Sequence, residues 1–227
     1  MAQVQFDVPY SEQRNRGTVA IRLILAIPHM IIIGLWSYAV EVVAVIQWFI
    51  QVFTGKRNRS LTEFTIAWLN YAARVYGYIG LLFDEYPEFV SDAGKTPVRF
   101  AMPYEEGPVN RLTVGLRIIW AIPALVIAWL LSIAVGVVTI LGWFVILFTG
   151  KLPPGWHAFL VKAHKYVLQE YAYIYLTTDE YPKYDSASLP PGPRYATPTY
   201  GAPPPSGFVP PPPPTGGTPP PPPPPPQ

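Results

Sequence analysis

Two carboxylate pairs, Asp84-Glu85 and Asp179-Glu180, are the groups of this chain whose type and spacing most invite chemistry. Each is followed by Tyr-Pro, giving Asp84-Glu85-Tyr86-Pro87 and Asp179-Glu180-Tyr181-Pro182. Paired carboxylates can hold a metal or act as acid and base. Side chains adjacent in sequence diverge on most backbones, however, and no histidine stands at ligand spacing: His29, His157 and His164 are scattered. Proline holds the residue before it extended. The motif therefore reads first as a solvated turn and second as a metal or ligand site. With no cysteine in the chain, disulfides, thiolate metal sites and cysteine catalysis are excluded. There is no nucleophile elbow, phosphate loop, zinc-binding helix or dinucleotide fingerprint. No catalytic residue, metal ligand or cofactor-binding residue is assigned, and no cofactor is expected.

The other candidates are Glu41, Gln47 and Gln51. Glu41 is the single charge among the 33 residues between Arg22 and Lys56; the 33 between Arg117 and Lys151 have none. Apolar runs of 18 or more residues argue for transmembrane helix. A carboxylate at that depth is costly and faces protein or water, so it is a functional-site hypothesis. Gln47 and Gln51, one turn apart, join it as a packing face between repeats or a polar path; alternatively, Glu41 reaches headgroups.

These elements come in two copies. Residues 19–87 match residues 114–182 at a constant offset of 95, with 29 of 69 positions identical. Glu41, Gln47 and Gln51 have the apolar counterparts Gly136, Gly142 and Ile146. A 33-residue helix would be roughly 50 Å long, against a hydrocarbon core of ~30 Å. The excess allows a helical hairpin or shallow wedge, a single kinked span, or a strongly tilted helix. Arg14, Arg16 and Arg22 precede the first run, and Lys56, Arg57 and Arg59 follow it; Arg99, Arg111 and Arg117 precede the second, and Lys151 follows it. Positive charge favours the cytoplasmic side, so both ends are expected there, with the two repeats parallel. Against a hairpin, the segments around Ser37 and Ser132 contain no Pro, Asn or Asp. Pro28 and Pro123 each remove a backbone bond and mark a kink.

After Gly55 and Gly150 comes a second, more polar helix, over 61–83 and 156–178. It has an aromatic face (Phe64, Trp68, Tyr71, Val75, Tyr78; Phe159, Ala163, Tyr166, Glu170, Tyr173) and a polar stripe, and is expected to lie in the interface and cover the long runs. Before each run, the alternations Val4/Phe6/Val8 and Val98/Phe100/Met102 predict short strands able to pair as a ribbon. The expected organisation is an all-α membrane protein: repeat 1 over 1–90, repeat 2 over 91–185, and a disordered Pro-rich tail over 186–227. Of 30 prolines, 21 lie from Pro182 onward, and such composition builds no core. The tail is either a spacer or a polyproline ligand for a cytoplasmic protein. A net charge of +2 with no long basic run argues against nucleic acid.

Arg22, Ala26-Ile27-Pro28-His29, Trp48-Phe49, Phe53-Thr54-Gly55-Lys56 and Asp84-Glu85-Tyr86-Pro87 resemble a bacterial integral-membrane family, the domain of unknown function 4389, in tandem over residues 4–184. The second copy departs from it at Ala124, where the first has His29. The resemblance implies a multi-pass protein of the bacterial inner membrane and brings no site residues. The expectation is a non-enzymatic anchoring, shaping or scaffold component, acting on the bilayer and forming homo-oligomers, with both termini cytoplasmic. Alternatives are a small-molecule transport component with a polar path near Glu41, and a lipid-acting enzyme.

Overall fold

The structure, a computed structural model, describes residues 4–89 and 96–184. The Pro-rich tail and its expected partner lie outside the described residues. Helix α1 runs unbroken over Arg16–Thr54. Asn15 starts it, its side chain accepting from Thr18 N, and Gly55 ends it in the left-handed conformation at φ 71°. Helix α2 spans Arg59–Ile79, with Asn58 as its N-cap. In the second half, a short α3 (Arg111–Gly115) precedes α4 (Arg117–Thr149) and α5 (Pro154–Ile174). Helices α1 and α4 are long and apolar enough to cross a membrane by length and composition.

No hairpin tip exists in either long run. Ser37 and Ser132 lie inside continuous helices, donating to the carbonyls of Gly34 and Ala128. Nothing at 35–39 or 130–134 stops a helix, and a hydroxyl satisfied on its own helix demands no turn. Pro28 and Pro123 sit within α1 and α4. The one interruption falls at Leu116, between α3 and α4 and ahead of Pro123.

Each unit is a helical hairpin of unequal arms. Helix α2 returns along α1: Gln47 meets Thr62, the Ile33 carbonyl meets Trp68, His29 meets Tyr71 and Arg22 meets Tyr78. Both return helices end in the same way. Leu81 and Leu176 take positive φ (62° and 61°), with Leu82 N bonded to Gly77 O and Thr177 N to Ala172 O. Glycine usually fills this place. Here leucine does, with its side chain buried at 1% and 2% exposure, and apolar burial offsets the backbone strain.

The two units are antiparallel, which corrects the parallel arrangement expected from flanking charge. Several inter-unit contacts come in reciprocal pairs. Arg14 N donates to Gly150 O and Val109 N to Gly55 O, both at 2.9 Å. Trp143 Nε1 donates to Val19 O and Trp48 Nε1 to Val114 O. The Tyr10 hydroxyl bonds Leu152 O and the Tyr104 hydroxyl bonds Arg57 O. Each pair swaps a residue for its repeat partner, the pattern of a two-fold axis. The start of α1 thus lies beside the end of α4, and the end of α1 beside α3. Positive charge at both ends of each run looks the same under either arrangement, so charge alone could not separate them.

The axis passes through a small ribbon. Strands β1 (Gln5–Asp7) and β2 (Arg99–Ala101) pair antiparallel, with Phe6 opposite its own counterpart Phe100. The alternation in the sequence predicts this ribbon, and it ties the units together. Its inner residues Val4, Phe6, Val8, Val98 and Met102 are buried, while Gln5 and Ala101 are exposed and Asp7 faces Arg99 at 3.9 Å. Strand β1 packs on α5 and β2 on α2. Phe6 stacks on His164 at the middle of α5, and Gly80 lets that ring approach, since a Cβ there would lie 2.7 Å from it.

Three layers result: the ribbon, then α2 with α5, then α1 with α4. The middle helices are the core, not a cover as their polar stripe implied. Trp68, Leu69, Tyr71, Val75 and Tyr78 are buried, as are Leu160, Ala163, Tyr166, Glu170 and Tyr173. The outer long helices bury one narrow stripe each and leave the rest of their apolar surface open, from Ile21 to Phe53 and from Ile118 to Phe148.

Candidate functional site

The Asp-Glu-Tyr-Pro motif begins with the aspartate and its arginine. Arg22, 1% exposed, sits nearly two turns into α1 with its guanidinium 4.5 Å from the Tyr78 ring centroid. It donates to Tyr78 O at 2.8 Å and to Asp84 Oδ1 at 2.6 Å. Asp84 Oδ2 accepts from Asn15 N, so the carboxylate joins both ends of the unit. The second unit repeats this. Arg117 lies over Tyr173 at 4.2 Å, donates to Thr178 O and pairs with Asp179, which also takes Arg57 of the first unit at 2.5 Å. A buried guanidinium needs such a counter-charge, because desolvating it alone is costly. The motif is therefore a clasp closing each hairpin on a buried arginine. A metal reading finds no support in its geometry: among the described residues no group of three or more His, Asp or Glu converges on one point.

The tyrosine of the motif builds something else. In the first unit, the His29 ring lies 4.2 Å from Phe89, stacked at 12°, 4.8 Å from Tyr86 and 5.9 Å from Tyr71. Its Nδ1 is 2.6 Å from the Tyr71 hydroxyl, and the ring is fully buried. Three aromatic walls thus enclose one imidazole. Arg74, buried on α2, lies 5.7 Å from the Tyr71 ring. In the second unit the walls have the counterparts Tyr166, Tyr181 and Tyr184, but Ala124 stands where His29 does. Ile33 becomes Ala128, Arg74 becomes Gln169 and Val75 becomes Glu170. Tyr166 is 2% and Glu170 3% exposed, and Tyr166 Oη and Glu170 Oε1 make no hydrogen bond. Burial pushes the Glu170 carboxyl up to about 7 and the Tyr166 phenol up to about 12.

The repeat recurs as a family match. The model of a domain of unknown function (DUF4389) matches residues 16–91 and again residues 111–184. The chain belongs to the DUF4389 family. No curated protein and no solved structure matches it. Both DUF4389 units carry the clasp, and only the first has a histidine among its aromatic walls.

The remaining polar candidates of the first DUF4389 unit do not converge. Gln47 is buried and locks the α1–α2 turn: its Nε2 donates to Thr62 Oγ1 at 2.7 Å and its Oε1 accepts from Asn58 N. Gln51 reaches across units, donating to Leu176 O at 3.1 Å. Glu41 is exposed. It lies on the flank of α1, where its charge is felt by Tyr175 of α5. Both glutamines are engaged by neighbours. The box was missed in the sequence because its walls are far apart, at 71, 86 and 89 and at 166, 181 and 184. The available signal was the departure from His29 to Ala124 beside a retained Tyr71/Tyr166 pair.

Proposed function

We propose that this chain is a non-enzymatic membrane wedge, lying with α1 and α4 in one leaflet and its ribbon in water. The observation that carries this reading is the opposition of the two outer layers. The α1–α4 layer exposes Leu35 at 67%, Phe53 at 71%, Ile118 at 70% and Phe148 at 78%. Meanwhile Arg22, His29, Gln47, Gln51 and Arg117 point inward. Contiguous apolar faces of this size mark an interaction site or a membrane.

Orientation follows from length and from the ribbon. The exposed face from Ile21 to Phe53 extends about 48 Å at 1.5 Å per residue, well beyond the ~30 Å hydrocarbon core. An upright molecule would also place the ribbon at mid-bilayer, because Phe6 meets α5 at its midpoint. Open strand edges and the Asp7–Arg99 pair are not tolerated there. Laid flat, one layer of helices is ~10 Å thick, enough to fill most of a ~15 Å leaflet core and spread its headgroups. Such insertion into one leaflet supports shaping or anchoring. Glu41, on the flank, then lies within reach of headgroups. The bacterial inner membrane and a cytoplasmic placement of both termini belong to this same reading.

Cysteine labelling tests it, since the chain has no cysteine of its own. Ser11 and Lys56 are exposed and lie at opposite ends of α1. An impermeant maleimide applied to intact cells and to inverted vesicles is expected to modify S11C and K56C from the same, cytoplasmic side. Labelling of the two from opposite sides would mean that α1 crosses the bilayer, and the flat wedge would be abandoned.

A further inference from the structure

We propose that the second unit holds a small free molecule bearing an imidazole-like ring, enclosed by Tyr166, Tyr181 and Tyr184 and bonded to Glu170. The first unit shows what the box accepts. Its walls Tyr71, Tyr86 and Phe89 surround the His29 ring at 4.2–5.9 Å, with a hydroxyl 2.6 Å from a ring nitrogen. The second unit keeps all three walls as tyrosines and replaces the enclosed residue by Ala124. The next turn of α4 is trimmed in the same way, from Ile33 to Ala128.

Two further changes alter what the box prefers. The first unit sets a cation beside it, with Arg74 5.7 Å from the Tyr71 ring, and a second positive charge is repelled there. The second unit has Gln169 in that place, its Oε1 accepting from Lys183 N. One residue on, Val75 becomes Glu170, a buried carboxyl on the same face of α5 as Tyr166 and one turn from it. Aromatic walls and one carboxylate suit an organic cation. A carboxyl and an imidazole ring share one proton between them, so the pair is matched on whichever partner the proton rests.

The polar atoms left over point the same way. Tyr166 Oη and Glu170 Oε1 are both buried without a hydrogen-bond partner. A partner supplied by a ligand would relieve that cost. Nor is the charge of Glu170 answered from the facing helix: Arg117 is the only charged residue of α4 and is engaged by Asp179 and Thr178 O. Tyr181 and Tyr184 are 39% and 51% exposed, so the outer walls open toward the surface. The Tyr184 ring stands 6.3 Å from Tyr166 and would close over a bound ring.

The test uses the full chain in detergent micelles and imidazole itself as the probe, titrated by calorimetry near neutral pH. Saturable binding to one site is expected. Ala124→His, which copies the first unit, is expected to abolish it. Glu170→Gln, which keeps the shape, is expected to weaken it at least tenfold. His29→Ala is expected to leave it in place. No saturable binding to the unmodified chain overturns the proposal. So does binding that survives Glu170→Gln unchanged, a result that stands even if Ala124→His fails to fold. None of these outcomes depends on how the molecule lies in a membrane, so the proposal and the wedge reading fail separately.

Discussion

Asp84→Ala is expected to lower stability by about 3 kcal/mol, the size seen when one partner of a buried ion pair is removed. Arg22 is the reason. It is 1% exposed, and after the substitution it keeps the Tyr78 carbonyl and ring but loses the carboxylate it is bonded to. Asn15 N, at the start of α1, loses its acceptor as well. Asp179→Ala is expected to cost more, because that carboxylate answers both Arg117 and Arg57. Adding Arg22→Met to Asp84→Ala should restore most of the loss, since an apolar side chain of similar length needs no counter-charge. Thermal unfolding in micelles compares all three variants with the natural chain. A loss below about 1 kcal/mol for Asp84→Ala, the range of a surface pair, would show that the motif is only a turn.

Glu170→Gln is expected to do the opposite at high pH. The buried carboxyl has its pKa raised from 4.5 to about 7 by burial. A raised value in the folded state means that folding favours the protonated form. The stability it contributes is fully present below about pH 4.5 and is lost as pH rises through about 7. At 1.36 kcal/mol per pKa unit the shift is worth up to about 3 kcal/mol. Glutamine imitates the protonated acid, so the variant should match the natural chain near pH 4 and exceed its stability by about 2–3 kcal/mol near pH 8.5. Tyr166, Tyr171 and Tyr175 sense the Glu170 charge but stay neutral across this window, their phenols pushed further up by burial. His157 and His164, packed on the same helix, are pushed down by burial, His157 to about 4. Melting curves across pH decide the matter; a difference that does not vary with pH would mean that Glu170 is not buried as an acid.

Much of the fold was legible because local chemistry wrote it. Gly55 and Gly150, after which the long runs give way to a second helix, and the Val/Phe alternation at 4–8 and 98–102 all act within a few residues of themselves. The direction of one unit relative to the other was not legible. It is set by single bonds between distant residues, such as Trp143 to Val19 and Gln51 to Leu176, which leave no periodic trace. The hairpin tip was read from the length of the runs and the positive charge at both of their ends, and neither turns a helix without a residue that favours turning. Charge misled twice. Arg22 and Arg117 read as cytoplasmic flanks and are buried at 1% exposure, while Asp84 and Asp179 read as solvent turns and are their counter-ions. The aromatic box lay in plain view as Tyr86 and Tyr181. What it encloses depends on α1 and α4, so only the comparison of His29 with Ala124 pointed to it.

The reciprocal contacts across the two-fold axis carry a consequence about inheritance. A single unit would be self-complementary, able to meet a second copy through the same bonds that join the halves here. Joining the two in one chain makes that meeting intramolecular and independent of concentration. It also lifts a constraint of symmetry. Two identical subunits must both fill the aromatic box or both leave it open. A fused chain can keep His29 with Arg74 in one half and set Ala124 with Glu170 in the other, so that one box serves as ballast while its twin is free to acquire an occupant.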